Sequence, residues 1–167
     1  MPVSPSLANV RLLPGPVRAR QDLNTRYLLE LEPDRLLHTF RLQAGYSSSA
    51  EPLGGWEAPA CGLRGHFVGH CLSACAQGYA TTGSSRLRER LELLLAGLAE
   101  CQQPHGYLSA FPETDLDAME TTLGGAWAPY YTLHKILAGL LDAHEWAGNA
   151  PALPMAQALA DYVGRRL

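Results

Sequence analysis

The chain has 167 residues, 47% of them hydrophobic and 17% charged, with a net charge of −3. This balance suits one ordinary globular domain with a real core and excludes a disordered segment. It offers no basic stripe for nucleic acid, and no apolar run reaches the ~18 residues of a membrane span, so neither partner is expected.

Residues 1–17, with Pro14 and Pro16 at their end, read as an extended lead-in to a single partial domain. The segment "MPVSPSLANVRLLPGPVRARQ" lacks a charged n-region followed by an apolar h-region, so no export signal is expected and the cytoplasm is the expected compartment. A first helix is predicted from about Arg18 to Leu31, with Leu23, Tyr27, Leu28 and Leu31 on one face. Pro33-Asp34 restarts a short helix carrying Leu36, Leu37 and Phe40, which Gly45 ends. Gly, Pro and Ser then dominate from Tyr46 to Leu63, so that stretch reads as a long irregular loop, a length that is usually functional or disordered. Trp56 in its middle argues against disorder.

"LRGHFVGHCLSACAQGY" opens a helix from Gly65 to Thr82, with Gly83 as its C-cap and Ser84 or Ser85 as the next N-cap. Leu87, Leu91, Leu94, Leu95 and Leu98 give the following helix the clearest periodicity in the chain. "CQQPHGYLSAFPETD" and "TTLGGAWAP" are loops, with Glu113, Asp115, Asp117 and Glu120 falling in a loop and short helix. From about Pro129 to Ala147 a helix is predicted to bury Leu133, Ile136, Leu137, Leu140 and Leu141. Gly148-Asn149 caps it, and a last helix carries Leu159 and Val163. No stretch alternates with period two, so the fold class is all-α.

The pattern of helix, glycine cap, polar turn and helix occurs twice, with Gly83 and Gly148 lying 65 residues apart. Such hairpins suggest a hairpin array or an α/α toroid. Six units would need roughly 350 residues or more, and this chain supplies about two and a half helical hairpins.

"LRGHFVGHCLSACA", "GYLSAFPE" and "WAPYYTLHKILAGLLDAHEWAGN" closely resemble, in the same order, the N-terminal part of bacterial β-L-arabinofuranosidases of glycoside hydrolase families 127 and 146. The resemblance covers nearly all of the chain, from about Val10 to Leu167. It implies part of an (α/α)6 toroid with a sugar pocket at one mouth. It also implies retaining hydrolysis by a zinc-bound cysteine thiolate with a glutamate as acid/base. The family's Glu-x-Cys element and Cys-Cys pair do not occur here, so no catalytic residue carries over. Zinc is expected of the complete family domain and not of these residues.

His66 and His70 share a helix face, but Cys71 and Cys75 lie off it, which makes a metal site unexpected. The remaining readings for the two histidines are core partners or a sugar contact. His66, at a loop-to-helix junction, is the expected contact, and His70, one turn deeper, is expected to be structural. The candidate sugar contacts are Trp56, Glu57, His66, Trp127, Tyr130 and His134. Lys135 is expected in solvent, and Cys71, Cys75 and Cys101 as small buried hydrophobes.

Three functions remain. One is the N-terminal portion of a zinc-thiolate glycosidase acting on β-L-arabinofuranosides or related plant-polysaccharide sugars, inactive alone. Another is a carbohydrate-binding or scaffold protein completed by self-association through uncovered helix faces. The third is an independent hydrolase using local carboxylates such as Glu57 and Glu113.

Overall fold

A computed structural model describes residues 6–167. It contains helices α1 (Pro16–Glu30), α2 (Pro33–Gln43), α3 (His66–Thr82), α4 (Ser85–Cys101), α5 (Glu113–Thr122), α6 (Pro129–Ala147) and α7 (Ala152–Arg166). Two 3-10 turns add Leu7–Asn9 and Gly55–Glu57, and no strand occurs among the described residues. The extended lead-in is thus shorter than the sequence suggests: a turn interrupts it and α1 begins at Pro16, whose fixed φ suits a first helical position. Residues 1–5 of that lead-in lie outside the described residues.

Helices α3 and α6 form the centre and run parallel. At their starts the Ala128 N–H donates to the Gly62 carbonyl (2.9 Å) and the Thr132 hydroxyl donates to the Leu63 carbonyl (3.2 Å). At their far ends Gln77 Nε2 donates to Asp142 Oδ2 (3.2 Å). Their backbones touch, because both crossing positions are glycine. A Cβ at Gly69 would overlap the Lys135 carbonyl, and one at Gly139 would stand 2.6 Å from the Gly69 carbonyl oxygen and 2.8 Å from Leu72 Cβ.

The other helices return on the outside. Gly83 and Gly148, both left-handed, turn α3 into α4 and α6 into α7. The α2 helix lies antiparallel to α3, its Phe40 ring reaching the start of α3 at Gly65, and α4 packs beside it by seating Leu37 against Gly97. Two parallel inner helices with outer helices α1–α2, α4 and α7 are part of an α/α toroid, in the two and a half hairpins read from the sequence.

The periodic leucines of α4 are all buried, as are Leu36, Leu37 and Phe40 of α2 and Leu133, Ile136 and Leu140 of α6. Two expectations fail. Of the apolar face assigned to α1 only Leu28 is buried, while Leu23 and Tyr27 are each 48% exposed. Leu141 of α6 is also exposed, one residue round the helix from the buried Leu140.

Replacing Gly69 by alanine is expected to be severe, since backbone and not a flexible side chain opposes the new methyl. Thermal denaturation should show a loss of several kcal/mol or failure to fold. Gly164→Ala, with open space around it, should instead be neutral or stabilise by about 0.5–1 kcal/mol.

Candidate functional site

The long loop after α2 is a fixed arm and not a disordered one. Arg35 donates to the carbonyls of Glu51 (3.0 Å) and Pro52 (3.2 Å), and His38 Nδ1 meets Ser48 Oγ at 2.9 Å. These anchors deliver the Gly55–Glu57 turn to the beginning of α3. There Glu57 does the work of an N-cap that Gly65 has no side chain to supply. Its Oε2 accepts from the Gly65 N–H (2.6 Å) and its Oε1 from the Phe67 N–H (3.0 Å) and His66 Nδ1 (2.6 Å). A carboxylate here satisfies helix N–H groups that would otherwise lack partners and sits at the positive end of the dipole. Burial raises the Glu57 carboxyl above its ordinary range, against the lowering effect of the Gly65, Phe67 and His66 contacts. Both oxygens of Glu57, a candidate sugar contact by sequence, are thus occupied in capping α3.

The two histidines differ in exposure, in the sense opposite to the one expected from sequence. His66 is buried, with Nδ1 between the Leu63 carbonyl (2.9 Å) and Glu57, two acceptors that assign the proton to Nδ1. Its Nε2 makes no hydrogen bond within the described residues. His70 is exposed, because the crossing at Gly69 turns the next residue outward from the α3–α6 contact. Its ring meets that of His66 edge-on at 5.8 Å. The ring of Trp56, 66% exposed, lies 6.3 Å from His66, and Tyr131 lies 6.0 Å from His66 and 6.4 Å from His134. Trp56, His66, His70, Tyr131 and His134 so form one rim at the end where α3 and α6 both begin.

Trp127 is exposed at the same end, its backbone pressed on Gly62. Tyr130 points elsewhere: its hydroxyl donates to Glu120, which Arg166 also holds through Nε (2.8 Å). His70 and Tyr131 join the other rings at this end without being among the contacts expected from sequence. The available signal was helical phase, since 66 and 70 share a face, as do 131, 134 and 135.

The acidic cluster is consumed by its neighbours. Arg166 also binds Asp117 (2.5 Å), and Glu113 takes His105 Nε2 (3.0 Å) on one oxygen and the Tyr162 hydroxyl (2.7 Å) on the other. The Arg166 hydrogen bond, then that of Tyr130, lowers the Glu120 carboxyl. These pairs fasten α7 to α5. Glu57 and Glu113, the carboxylates an independent hydrolase would use, are thus each held by neighbouring groups.

The described residues do not gather the ligands of a zinc site. Cys71, Cys75 and Cys101 are buried free thiols, and burial pushes them up to about 12, 11 and 11. No three His, Cys, Asp or Glu side chains converge among the described residues. No described helix is long and apolar enough to cross a membrane.

Residues 9–167 match the sequence profile of a family described as "Beta-L-arabinofuranosidase, GH127 catalytic domain". A solved structure, that of a GH127 beta-L-arabinofuranosidase from Geobacillus stearothermophilus T6, superposes with a TM-score of 0.62 at 21% identity over 89% of this chain. The chain spans 22% of that protein's length. No curated protein matches.

Three substitutions separate cap from exposed rim. His66→Ala and Glu57→Gln should each lower stability by about 1–3 kcal/mol in denaturant melts, because each leaves buried groups unpaired. His70→Ala should stay within about 0.5 kcal/mol of the parent.

Proposed function

Because the chain belongs to the GH127 β-L-arabinofuranosidase catalytic-domain family, we propose that its residues form one wall of the sugar pocket of a glycoside hydrolase acting on β-L-arabinofuranosides or related plant-polysaccharide sugars. Hydrolysis then requires the rest of the toroid. The observation that carries this reading is the rim of Trp56, His66, His70, Tyr131 and His134 where two parallel helices begin. Aromatic faces suit the C–H side of a sugar ring, and imidazole nitrogens suit its hydroxyls. His66 contributes Nε2, oriented by the Glu57 and Leu63 contacts at Nδ1. Trp127 extends the rim. Tyr130 acts only indirectly, by fixing the start of α6 through Glu120.

These 167 residues position and do not themselves cleave. Glu57 and Glu113 are engaged by their neighbours, and burial pushes the Cys71 thiol up to about 12, so these groups offer the rim neither a nucleophile nor an acid/base pair. In the family resemblance a zinc thiolate supplies that chemistry, from residues other than those described.

A second reading, self-association, draws on the apolar side chains left on outer faces, Leu23 and Tyr27 of α1, Leu93 of α4 and Leu141 of α6. Such surface favours association when contiguous.

The chain alone should not turn over 4-nitrophenyl β-L-arabinofuranoside, with or without zinc and reductant. Removing a nucleophile and an acid costs many powers of ten. It should still bind methyl β-L-arabinofuranoside, read as quenching or shifting of Trp fluorescence and lost in His70→Ala. Turnover abolished by Glu113→Gln would overturn this reading. Light scattering should give a mass above 18.1 kDa, and a clean monomer would remove the self-association reading.

A further inference from the structure

Helix α1 gives one face to the fold and leaves the opposite face bare. Gln21, Thr25 and Leu28 point inward, toward Ala74 and Gly78 of α3, and Gln21 Nε2 donates to Thr81 Oγ1 (3.3 Å). At about 100° per residue, Arg20, Leu23, Tyr27 and Glu30 all stand within roughly 40° of the direction opposite Thr25. Leu23 and Tyr27 are each 48% exposed, one turn apart. The depression around them is lined by α1 residues alone among the described residues: Arg20, Leu23, Asn24, Arg26, Tyr27 and Glu30. Arg20, Arg26 and Glu30 make no ion pair among the described residues. The exposed leucines of the other helices, Leu93 of α4 and Leu141 of α6, have no second large apolar side chain exposed one turn away.

The order of these side chains makes the bare face complementary to itself. Along the helix the stripe reads cation, apolar, apolar, anion: Arg20, Leu23, Tyr27, Glu30. Its steps of three, four and three residues are those of a seam between two helices. Two copies placed antiparallel about a two-fold axis at residue 25 bring Arg20 against Glu30 of the second copy and Leu23 against its Tyr27. The same axis sets Asn24 against Arg26 of the second copy, on the flank of the seam. Every contact then occurs twice, as a closed two-fold pair requires. A parallel pair would instead stack Arg20 on Arg20 and Glu30 on Glu30, and like charges in register oppose it.

Resting on the reading that the chain self-associates, we infer that the interface is the Arg20–Leu23–Tyr27–Glu30 face of α1 and that its occupant is the same face of a second copy, antiparallel. The 15-residue helix is about 22 Å long, and contact along it falls below the size of a standard stable interface. The pair is therefore weak and reversible, half formed on the order of tens of micromolar. Leu23 and Tyr27 supply the buried centre, and the charged ends set direction and register.

The test is sedimentation velocity of the 167-residue chain from about 5 to 500 µM, with circular dichroism checking that each variant folds. The parent should run as a monomer at the low end and approach a dimer at the high end. Leu23→Glu should stay monomeric throughout. Glu30→Arg sets like charges at both ends of the pair and should weaken association roughly tenfold, since the two-fold axis makes each change count twice. Arg20→Glu combined with Glu30→Arg recreates the pairing in the opposite sense and should return association to near that of the parent. Both changes also suit the dipole of α1 itself, an anion nearer its start and a cation at its end, so weaker association would not report a weaker helix. Unchanged association in Leu23→Glu or Glu30→Arg, or no recovery in the double variant, overturns the inference. Association abolished by Leu93→Glu or Leu141→Glu and untouched by Leu23→Glu also overturns it, while the self-association reading stands. A chain that is monomeric at every concentration sinks both.

Discussion

The close crossing of α3 on α6 is the constraint to which the other features answer. Two glycines permit it, Gly69 against the Lys135–Ile136 backbone and Gly139 against Gly69 and Leu72. Close approach fixes the helices in depth and in rotation at once, since only one face of each carries the gap. From that rotation follow the outward positions of His70, Tyr131 and His134 and the inward ones of Val68, Leu72 and Ile136. The helical part of the rim, His66, His70, Tyr131 and His134, is a by-product of how these backbones meet, so these side chains sit on rigid elements.

The loop arm is built to the same standard of polar satisfaction. An N-terminus opening on Gly65 cannot cap itself, and Gly65 cannot be replaced, because a Cβ there would meet Ala110 at 2.7 Å on a left-handed backbone. The cap arrives from Glu57, eight residues upstream, and the same carboxylate orients His66. One side chain thereby joins loop, helix and rim. The acidic residues of α5 play a comparable part at the opposite side, where Arg166 gathers Asp117 and Glu120 and so docks the last helix.

Much of this was legible in the sequence, and what was not has a physical reason. Leucine spacing in α4, glycines after α3 and α6, and prolines opening α2 and α6 are local signals, and the elements they mark all form. Glu57 as a cap was not legible, because the pairing depends on an arm whose anchors, Arg35 and His38, sit on a different helix. His66 and His70 share a face by spacing, but which of them is buried depends on the partner that covers the first turn and the one that leaves the second open. Tyr130 and Tyr131 are adjacent, and the one-residue step of about 100° sends one to Glu120 and the other to the rim. The face of α1 failed for the opposite reason: its apolar residues are present, but no described element covers Leu23 and Tyr27.

The parallel arrangement of α3 and α6 also bears on the order in which the chain organises itself. Each helix and its glycine-turned return, α3 with α4 and α6 with α7, is closed by contacts between near neighbours in sequence and can assemble quickly. Gln77 and Asp142, by contrast, are 65 residues apart, as parallel neighbours must be when a whole return path intervenes. Loop-closure entropy opposes that meeting until both hairpins exist. The glycine crossing is therefore the late, rate-setting event of folding, and until it occurs Leu72, Ile136 and Leu140 stand exposed together on two formed but unjoined hairpins.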